Sequence, residues 1–439
     1  MIKLQGTMKI NRNGHLEIGG CDVADLRERF GTPLVVMDEE LIRETAKAYY
    51  KDFVDASGGN ALVLYASKAF MTPAICQIVK QEGLGLDVVS GGELYTALQA
   101  DFPMDKVYFH GNNKSREELQ MAIEHKVGRI VVDNDYEMNL LSQVAGEQGV
   151  MVDVLLRITP GVEAHTHEYI RTGQIDSKFG FTLPNGQAIE AVDRVLNTPN
   201  LRFVGLHCHI GSQIFEMSSY RHAVEVMMSF VKDIKERYDV DVEELDLGGG
   251  FGIYYTSEDT PADISSYADH VLSTLSSIAR ELDMPVPRLL IEPGRSLVGP
   301  AGTNLYTVGS IKAIPGHRKY VAVDGGMPDN IRPALYGAKY DAIVANRALE
   351  RDTETVNIAG KCCESGDMLM VDGRLNHAEP GDIIAMTSTG AYGYSMASNY
   401  NSLPRPAVVL VKDGQADVII ERESYEDLVR NARIPERIR

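Results

Sequence analysis

Short apolar runs that stop at turn residues recur through the first two-thirds of the chain, and helix-like stretches fill the gaps between them. The runs are ALVLYASK, GLGLDVVSGG, KVYFHGNN, GRIVVDN, VDVLLRITPG, LRFVGLHCHIGS, ELDLGGGFG and RLLIEPGRS. The intervening segments include TPAICQIVKQEG, SREELQMAIEHK, AIEAVDRVLN and YRHAVEVMMSFVKDIKERY. Strand and helix repeating eight times predict an α/β fold, a (β/α)8 TIM barrel. Its expected span is residues 40–298, close to the ~250 residues usual for that architecture. A doubly wound open sheet competes, but eight well-spaced units favour closure.

The texture changes after residue 300. KYVAVDGG, ETVNIAG, DMLMVDG, DIIAMTSTG and PAVVLVKDGQADVIIERE are β-rich and punctuated by Gly, Pro and Asp. They predict a C-terminal all-β domain, a barrel or sandwich, over residues 299–439. Within it, VLVKDGQADVII sets a Lys-Asp-Gly-Gln turn between two apolar strands, which predicts a hairpin. Residues 1–39 are short and strand-like and are expected to pack with this β-domain.

Composition narrows the function classes. The 439 residues exceed one ordinary domain, and 62 acids against 43 bases leave a net charge of −19. That charge disfavours nucleic acid or an anionic membrane surface as partner, because phosphates attract basic patches. The N-terminus lacks the apolar core of a signal peptide, and no apolar run approaches the ~20 residues of a membrane helix. Five cysteines, two of them adjacent at Cys362 and Cys363, do not form a disulfide framework, so the reducing cytoplasm is the expected compartment.

The chemically unusual residues fall at the ends of the expected strands, where a barrel of this kind builds its active site. Lys68 closes the first, Asp87 and Ser90 the second, His110 and Asn112 the third. His209 and Ser212 follow the sixth, Gly248, Gly249 and Gly250 the seventh, and Glu292 and Arg295 the eighth. A glycine run there offers backbone N–H groups to a phosphate, although a tight turn would use the same residues. His207 and His209 share one face of a strand and could serve a metal, pack against a planar ligand, or be structural. A metal would want further His and Asp ligands at neighbouring strand ends, which offer only His110, so no metal is expected. Lysine, phosphate cradle, ring partner and the carboxylate of Glu292 together match the needs of pyridoxal 5'-phosphate.

The motifs YASKAF, DVVSGGEL, HCHIGSQI, LDLGGGFGI, IEPGRSLVGPAG, CCESGDML and GAYGYSMASNYN run in order along nearly the whole chain. This set resembles that of the diaminopimelate decarboxylase family, within the barrel-type (fold-type III) pyridoxal-phosphate decarboxylases that also include ornithine decarboxylase. The resemblance implies removal of the carboxylate at the D-centre of meso-2,6-diaminopimelate, giving L-lysine and carbon dioxide, the last step of lysine biosynthesis. It implies that Lys68 carries the cofactor and that His209 stacks on the cofactor ring. Ser212, Gly250 and the loop with Glu292, Gly294 and Arg295 hold the cofactor, with Asp87 and Gly249 in the same set and Tyr392 near the phosphate. Cys363 becomes the acid that returns a proton to Cα, while Cys362 is structural. Arg295, Arg332, Tyr336, Glu364 and Tyr392 become the contacts for the amino-acid substrate, whose far ammonium and carboxylate need both an acid and a bidentate base. The resemblance also implies a homodimer with shared active sites, the CESGD segment reaching the neighbouring subunit.

Overall fold

The computed structural model describes residues 2–162 and 177–439. The chain divides into two compact units, one of Arg43–Ile253 with Thr260–Leu297, the other of Met1–Ile42, Tyr254–Asp259 and Val298–Arg439. The segment Tyr254–Asp259 lies within the sequence span of the barrel but clusters with the second unit.

The first unit is the barrel. Among the described residues the strands of its ring are β1 (Ala61–Ala66), β2 (Gly85–Val88), β3 (Val107–Phe109), β4 (Arg129–Val132), β5 (Val152–Thr159), β6 (Leu201–Cys208), β7 (Glu244–Asp246) and β8 (Arg288–Ile291), and a short strand, Phe181–Thr182, pairs in parallel with the end of β5. Each of the eight apolar runs holds one of them. All neighbours pair in parallel; β8 pairs with β1 through Leu289 and Ala61, and β4 with β5 through Ile130 and Val154, which closes the ring. The open doubly wound alternative is thereby excluded.

Helices α1 (Pro73–Gln81), α2 (Gly91–Gln99), α3 (Arg116–Glu124), α4 (Asp135–Gln148), α5 (Gln187–Leu196), α6 (Met217–Tyr238) and α7 (Ile264–Glu281) lie between successive strands. Their starts are locally encoded. Thr72 caps α1 ahead of Pro73, Ser90 caps α2 by accepting the Glu93 N–H, and Ser115 with Glu118 forms a capping box on α3. These caps fix the strand-to-helix turns that carry the site.

Inside the ring, Leu62, Leu64, Tyr108, Val131, Leu155, Val204 and Leu290 form one buried cluster. Burying each aliphatic side chain contributes about 1.5–3 kcal/mol relative to exposure. Glu244, at the start of β7, accepts from Arg129 Nε at 3.0 Å and Nη2 at 2.9 Å, and from the Tyr108 hydroxyl at 3.0 Å. The charges at that end of the barrel are thus paired.

The second unit is β-rich. Its main sheet runs in the order 368–376, 353–359, 318–323, 302–314, 34–38, 407–412, 415–420, with Ile383–Thr387 also paired to Gly302–Ile314. The N-terminal strand Leu34–Asp38 is antiparallel to Gly302–Ile314 and parallel to Ala407–Lys412. Ala407–Lys412 and Gln415–Ile420 form the expected hairpin, with Asp413 at φ 51° and Gly414 at φ 77°. Two consecutive positive φ values define the type I′ turn that suits twisted strands. Leu16, Ile18 and Cys21 share a core with Leu34, Val36, Leu305, Val409 and Val411. Among the described residues no helix is long and apolar enough to cross a membrane.

Candidate active site

Lys68 sits in a 3-10 turn, Ser67–Ala69, directly after β1. The Tyr65 hydroxyl pins this turn by donating to the Phe70 carbonyl at 2.5 Å and accepting the Phe70 N–H at 3.2 Å. The Ala66 N–H donates to the Pro293 carbonyl at 3.2 Å, and a Cβ on Gly294 would come within 2.9 Å of Ala66 Cβ. The lysine turn and the loop after β8 are therefore in close contact, with a glycine where space runs out. Lys68 Nζ lies 3.4 Å from Oδ2 of buried Asp87, and its side chain remains 41% exposed.

Around that lysine lies a buried polar cluster drawn from separate strands. His110 Nε2 is 3.0 Å from Glu292 Oε1 and 3.7 Å from Asp87 Oδ1, while His207 Nε2 is 3.5 Å from Glu292 Oε1. The His110 and His207 rings meet edge to face at 4.8 Å. Beyond these ion-pair contacts, Asp87 Oδ1, His110 Nε2, both His207 nitrogens, Asp246 Oδ2 and Glu292 Oε1 are buried without a hydrogen-bond partner. So many unsatisfied buried groups in one place are unusual in a folded protein and mark a functional cluster.

The cluster's protonation follows from its packing. Burial would raise the Glu292 carboxyl, but the imidazoles of His110 and His207 outweigh burial and hold it well below the usual range. Burial, and then the charge of Glu292, push Asp246 well above its usual value. Two neighbouring carboxyls thus divide the roles, Asp246 keeping a proton while Glu292 stays ionised. Burial also pushes His207 down to about 3, so near neutral pH it faces Glu292 as a polar ring rather than a cation. His110, His207 and Glu292 could in principle hold a metal ion, their ligand atoms lying within 4.8 Å of one another.

The glycine run after β7 packs too closely against neighbouring backbone to admit side chains. A Cβ on Gly249 would sit 2.1 Å from the Glu292 carbonyl oxygen, and one on Gly250 would sit 2.5 Å from that of Gly211. Gly248 and Gly250 also have positive φ, 68° and 104°. The Gly248 N–H donates to Asp246 Oδ1 at 2.8 Å, and the Gly249 N–H donates to His209 Nδ1 at 3.2 Å. His209 must therefore carry its ring proton on Nε2; burial and then the charge of Lys68 hold it well below its usual pKa, hence neutral. Ser212 Oγ accepts from Arg295 Nη2 at 2.9 Å and Nε at 3.3 Å.

The barrel unit thus brings together Lys68, Asp87, His209, Ser212, Gly249, Gly250, Glu292, Gly294 and Arg295. Arg332, Tyr336, Cys363, Glu364 and Tyr392 belong to the β-rich unit. There Arg332 is buried, donates from Nη1 to the hydroxyls of Tyr255, at 3.0 Å, and Tyr340, and lies over both rings. Cys363 and Glu364 are exposed in this chain, and Tyr392 holds a left-handed φ of 59°.

Two residues of the barrel cluster escaped the sequence reading. Asp246 closes β7 inside ELDLGGG, masked by its apolar neighbours and adjacent glycines. Glu93 accepts the Val89 N–H at 2.7 Å, and burial, assisted by the charge of Asp87, raises its carboxyl to about 7. Its only signal is its position three residues after the cap Ser90.

Comparisons with known proteins bear on this arrangement. The family model of the pyridoxal-dependent decarboxylases, pyridoxal binding domain, matches residues 39–299. A diaminopimelate decarboxylase from Bacillus subtilis is 56% identical over 427 residues, covering 97% of each chain. The chain belongs to the diaminopimelate decarboxylase family. A relative of the same name from Bacillus methanolicus is 54% identical over 95% of this chain and 96% of its own. A solved diaminopimelate decarboxylase from M. jannaschii superimposes with a TM-score of 0.92 at 38% identity, covering 98% of this chain and 99% of that one.

The family is pyridoxal-dependent, and the barrel residues fit pyridoxal 5'-phosphate. Lys68 supplies an amine at the exposed side of the site, Glu292 a buried oxygen without a hydrogen-bond partner, and Gly248–Gly250 a run beside it with no side chains in the way.

Proposed function

We propose that this protein decarboxylates meso-2,6-diaminopimelate to L-lysine and carbon dioxide, as the last step of lysine biosynthesis. One observation carries this function. An amine and an ionised buried carboxylate meet from the ends of β1 and β8, beside a closely packed glycine run at the end of β7, all at the same end of one barrel.

Lys68 would hold the cofactor at its aldehyde carbon, Glu292 at its ring nitrogen and His209 across its ring face. Gly249, Gly250, Ser212, Gly294 and Arg295 would hold its phosphate side, with Asp87 beside the lysine and Tyr392 near the phosphate. When bound, pyridoxal phosphate supplies a ring that accepts the electron pair released as the Cα–carboxylate bond breaks. Glu292, ionised, keeps a proton on the ring nitrogen and so sustains that capacity. His209, neutral with its proton on Nε2, offers a flat face without adding a competing cation.

Cys363 returns a proton from Sγ to Cα after the carboxylate has left. Arg295, Arg332, Tyr336, Glu364 and Tyr392 bind the ends of the substrate that do not react, the arginines taking carboxylate and Glu364 the ammonium. Active sites are shared across a homodimer, Cys363 and Glu364 serving the neighbouring subunit, and the enzyme works in the cytoplasm.

The test is carbon dioxide release by the cofactor-loaded protein from meso-diaminopimelate, L-lysine and L-ornithine. A pocket built to pair both ends of diaminopimelate should reject substrates lacking the far carboxylate by roughly 10⁴-fold. Comparable release from ornithine would reject the substrate assignment.

A further inference from the structure

The backbone N–H groups of the two adjacent cysteines are each taken by a side chain from elsewhere in the β-rich unit. Asp367 Oδ2 accepts the Cys362 N–H at 2.8 Å, and Asn401 Oδ1 accepts the Cys363 N–H at 2.7 Å. Asp367 is buried, and its second oxygen accepts the Met327 N–H at 2.6 Å. Asn401 holds φ at 53°, in the left-handed region that asparagine enters more readily than other non-glycine residues. Its loop is anchored in turn. Asn399 Nδ2 donates to Glu423 Oε2 at 2.6 Å, and Arg405 grips the other Glu423 oxygen through Nε at 2.9 Å and Nη2 at 2.6 Å. A strained residue held by its surroundings, with its side chain on a site residue, is the pattern of a functional constraint.

We propose that Asn401 is a positioning residue whose carboxamide oxygen fixes the Cys363 N–H and thereby the direction in which Sγ points. This rests on Cys363 being the proton donor. In that step the Sγ–H bond breaks, and a C–H bond forms at Cα with the electron pair left by the departed carboxylate. Water then restores the proton to the thiolate. Asn401 exchanges nothing; it sets the side from which the proton arrives. A fixed donor delivers from one side only, whereas a donor adrift lets water compete from either.

Turnover in deuterium oxide reads this directly, because the product carbon that lost its carboxylate gains one solvent deuterium whose configuration is measurable by NMR. Asn401→Gly removes the acceptor while suiting a positive φ, and Asn401→Asp keeps an oxygen in place. Wild type and Asn401→Asp should give one configuration, and Asn401→Gly a mixture with unchanged KM. Amide hydrogen exchange at residue 363, measured without substrate, should quicken by about fivefold in Asn401→Gly, the worth of one net hydrogen bond, and recover in Asn401→Asp. If Asn401→Gly does not fold, Asn401→Ser, whose hydroxyl falls short of Cys363, is measured the same way. A single configuration in the variant lacking the acceptor overturns the proposal, whatever its exchange rate. Cys363→Ala separates the two ideas: a single configuration there removes Cys363 as donor, independently of Asn401.

Discussion

His110 Nε2 lies 3.0 Å from Glu292 Oε1, with both side chains closed to solvent at the C-terminal end of the barrel. The imidazole reaches Glu292 from the turn after β3 and the carboxylate from the end of β8, so closure of the ring is what creates the contact. A buried anion beside two imidazoles stays ionised where an isolated one would take up a proton.

Glu292→Gln preserves shape and removes that charge. Turnover should fall by about 10²-fold or more, the scale of losing one preorganised electrostatic partner. The cofactor absorbance should shift as the ring nitrogen loses its proton. Steady-state kinetics with absorbance spectra check this; an unaltered spectrum with normal turnover would show that Glu292 does not contact the ring.

Acid should destabilise the cofactor-free protein through His207. Its folded pKa, about 3, lies below the unfolded value of about 6.5. Between those values the unfolded chain binds a proton that the folded chain refuses, so stability falls as pH drops from about 6.5 and is fully retained above it. The slope is at most about 1.4 kcal/mol per pH unit for this one site. His209, also held low, adds in the same direction. Tm measured from pH 7 to pH 4 should fall less steeply in His207→Gln than in wild type. Parallel curves would contradict the assignment.

Gly249→Ala forces a methyl to within 2.1 Å of the Glu292 carbonyl oxygen. Overpacking of this kind costs about 1–3 kcal/mol of folding stability. Gly309→Ala, where the added carbon would meet its nearest neighbour at 3.8 Å, serves as control. Urea unfolding of the two variants distinguishes them, and equal stability would contradict the close packing at Gly249.

Lys114 and Glu137 form an ion pair at 2.7 Å with both side chains buried, and Lys114 also donates to the carbonyls of Gly111 and Val131 at 2.8 Å. Lys114→Ala leaves Glu137 buried without its cation and should cost about 3–5 kcal/mol. Lys114→Met with Glu137→Leu should recover much of that loss, because the strain lies in the unpaired charge. Urea unfolding of the variants decides the matter.

The barrel was legible because parallel strands covered on both faces read as uninterrupted apolar runs, each broken where the chain turns into a capped helix. LRFVGLHCHIGS and RLLIEPGRS mark β6 and β8 by composition alone, and the polar residues at their ends stand out against it. What stayed hidden depended on distant pairing. Asp246 and Glu292 are far apart in sequence, and only the alignment of β7 with β8 makes one carboxyl protonated and the other charged. Leu34–Asp38 lies between strands from the far end of the chain, a neighbourhood no local pattern encodes. Asn401 belongs to a loop without periodicity, so its bond to Cys363 appears only in three dimensions.

The most direct measurement is borohydride reduction of the pyridoxal-phosphate-loaded protein, followed by peptide mass mapping. The expected result is a stable pyridoxyl-phosphate adduct on Nζ of Lys68 and its loss in Lys68→Ala. An adduct on another lysine, or none on the peptide holding Lys68, would contradict the assignment.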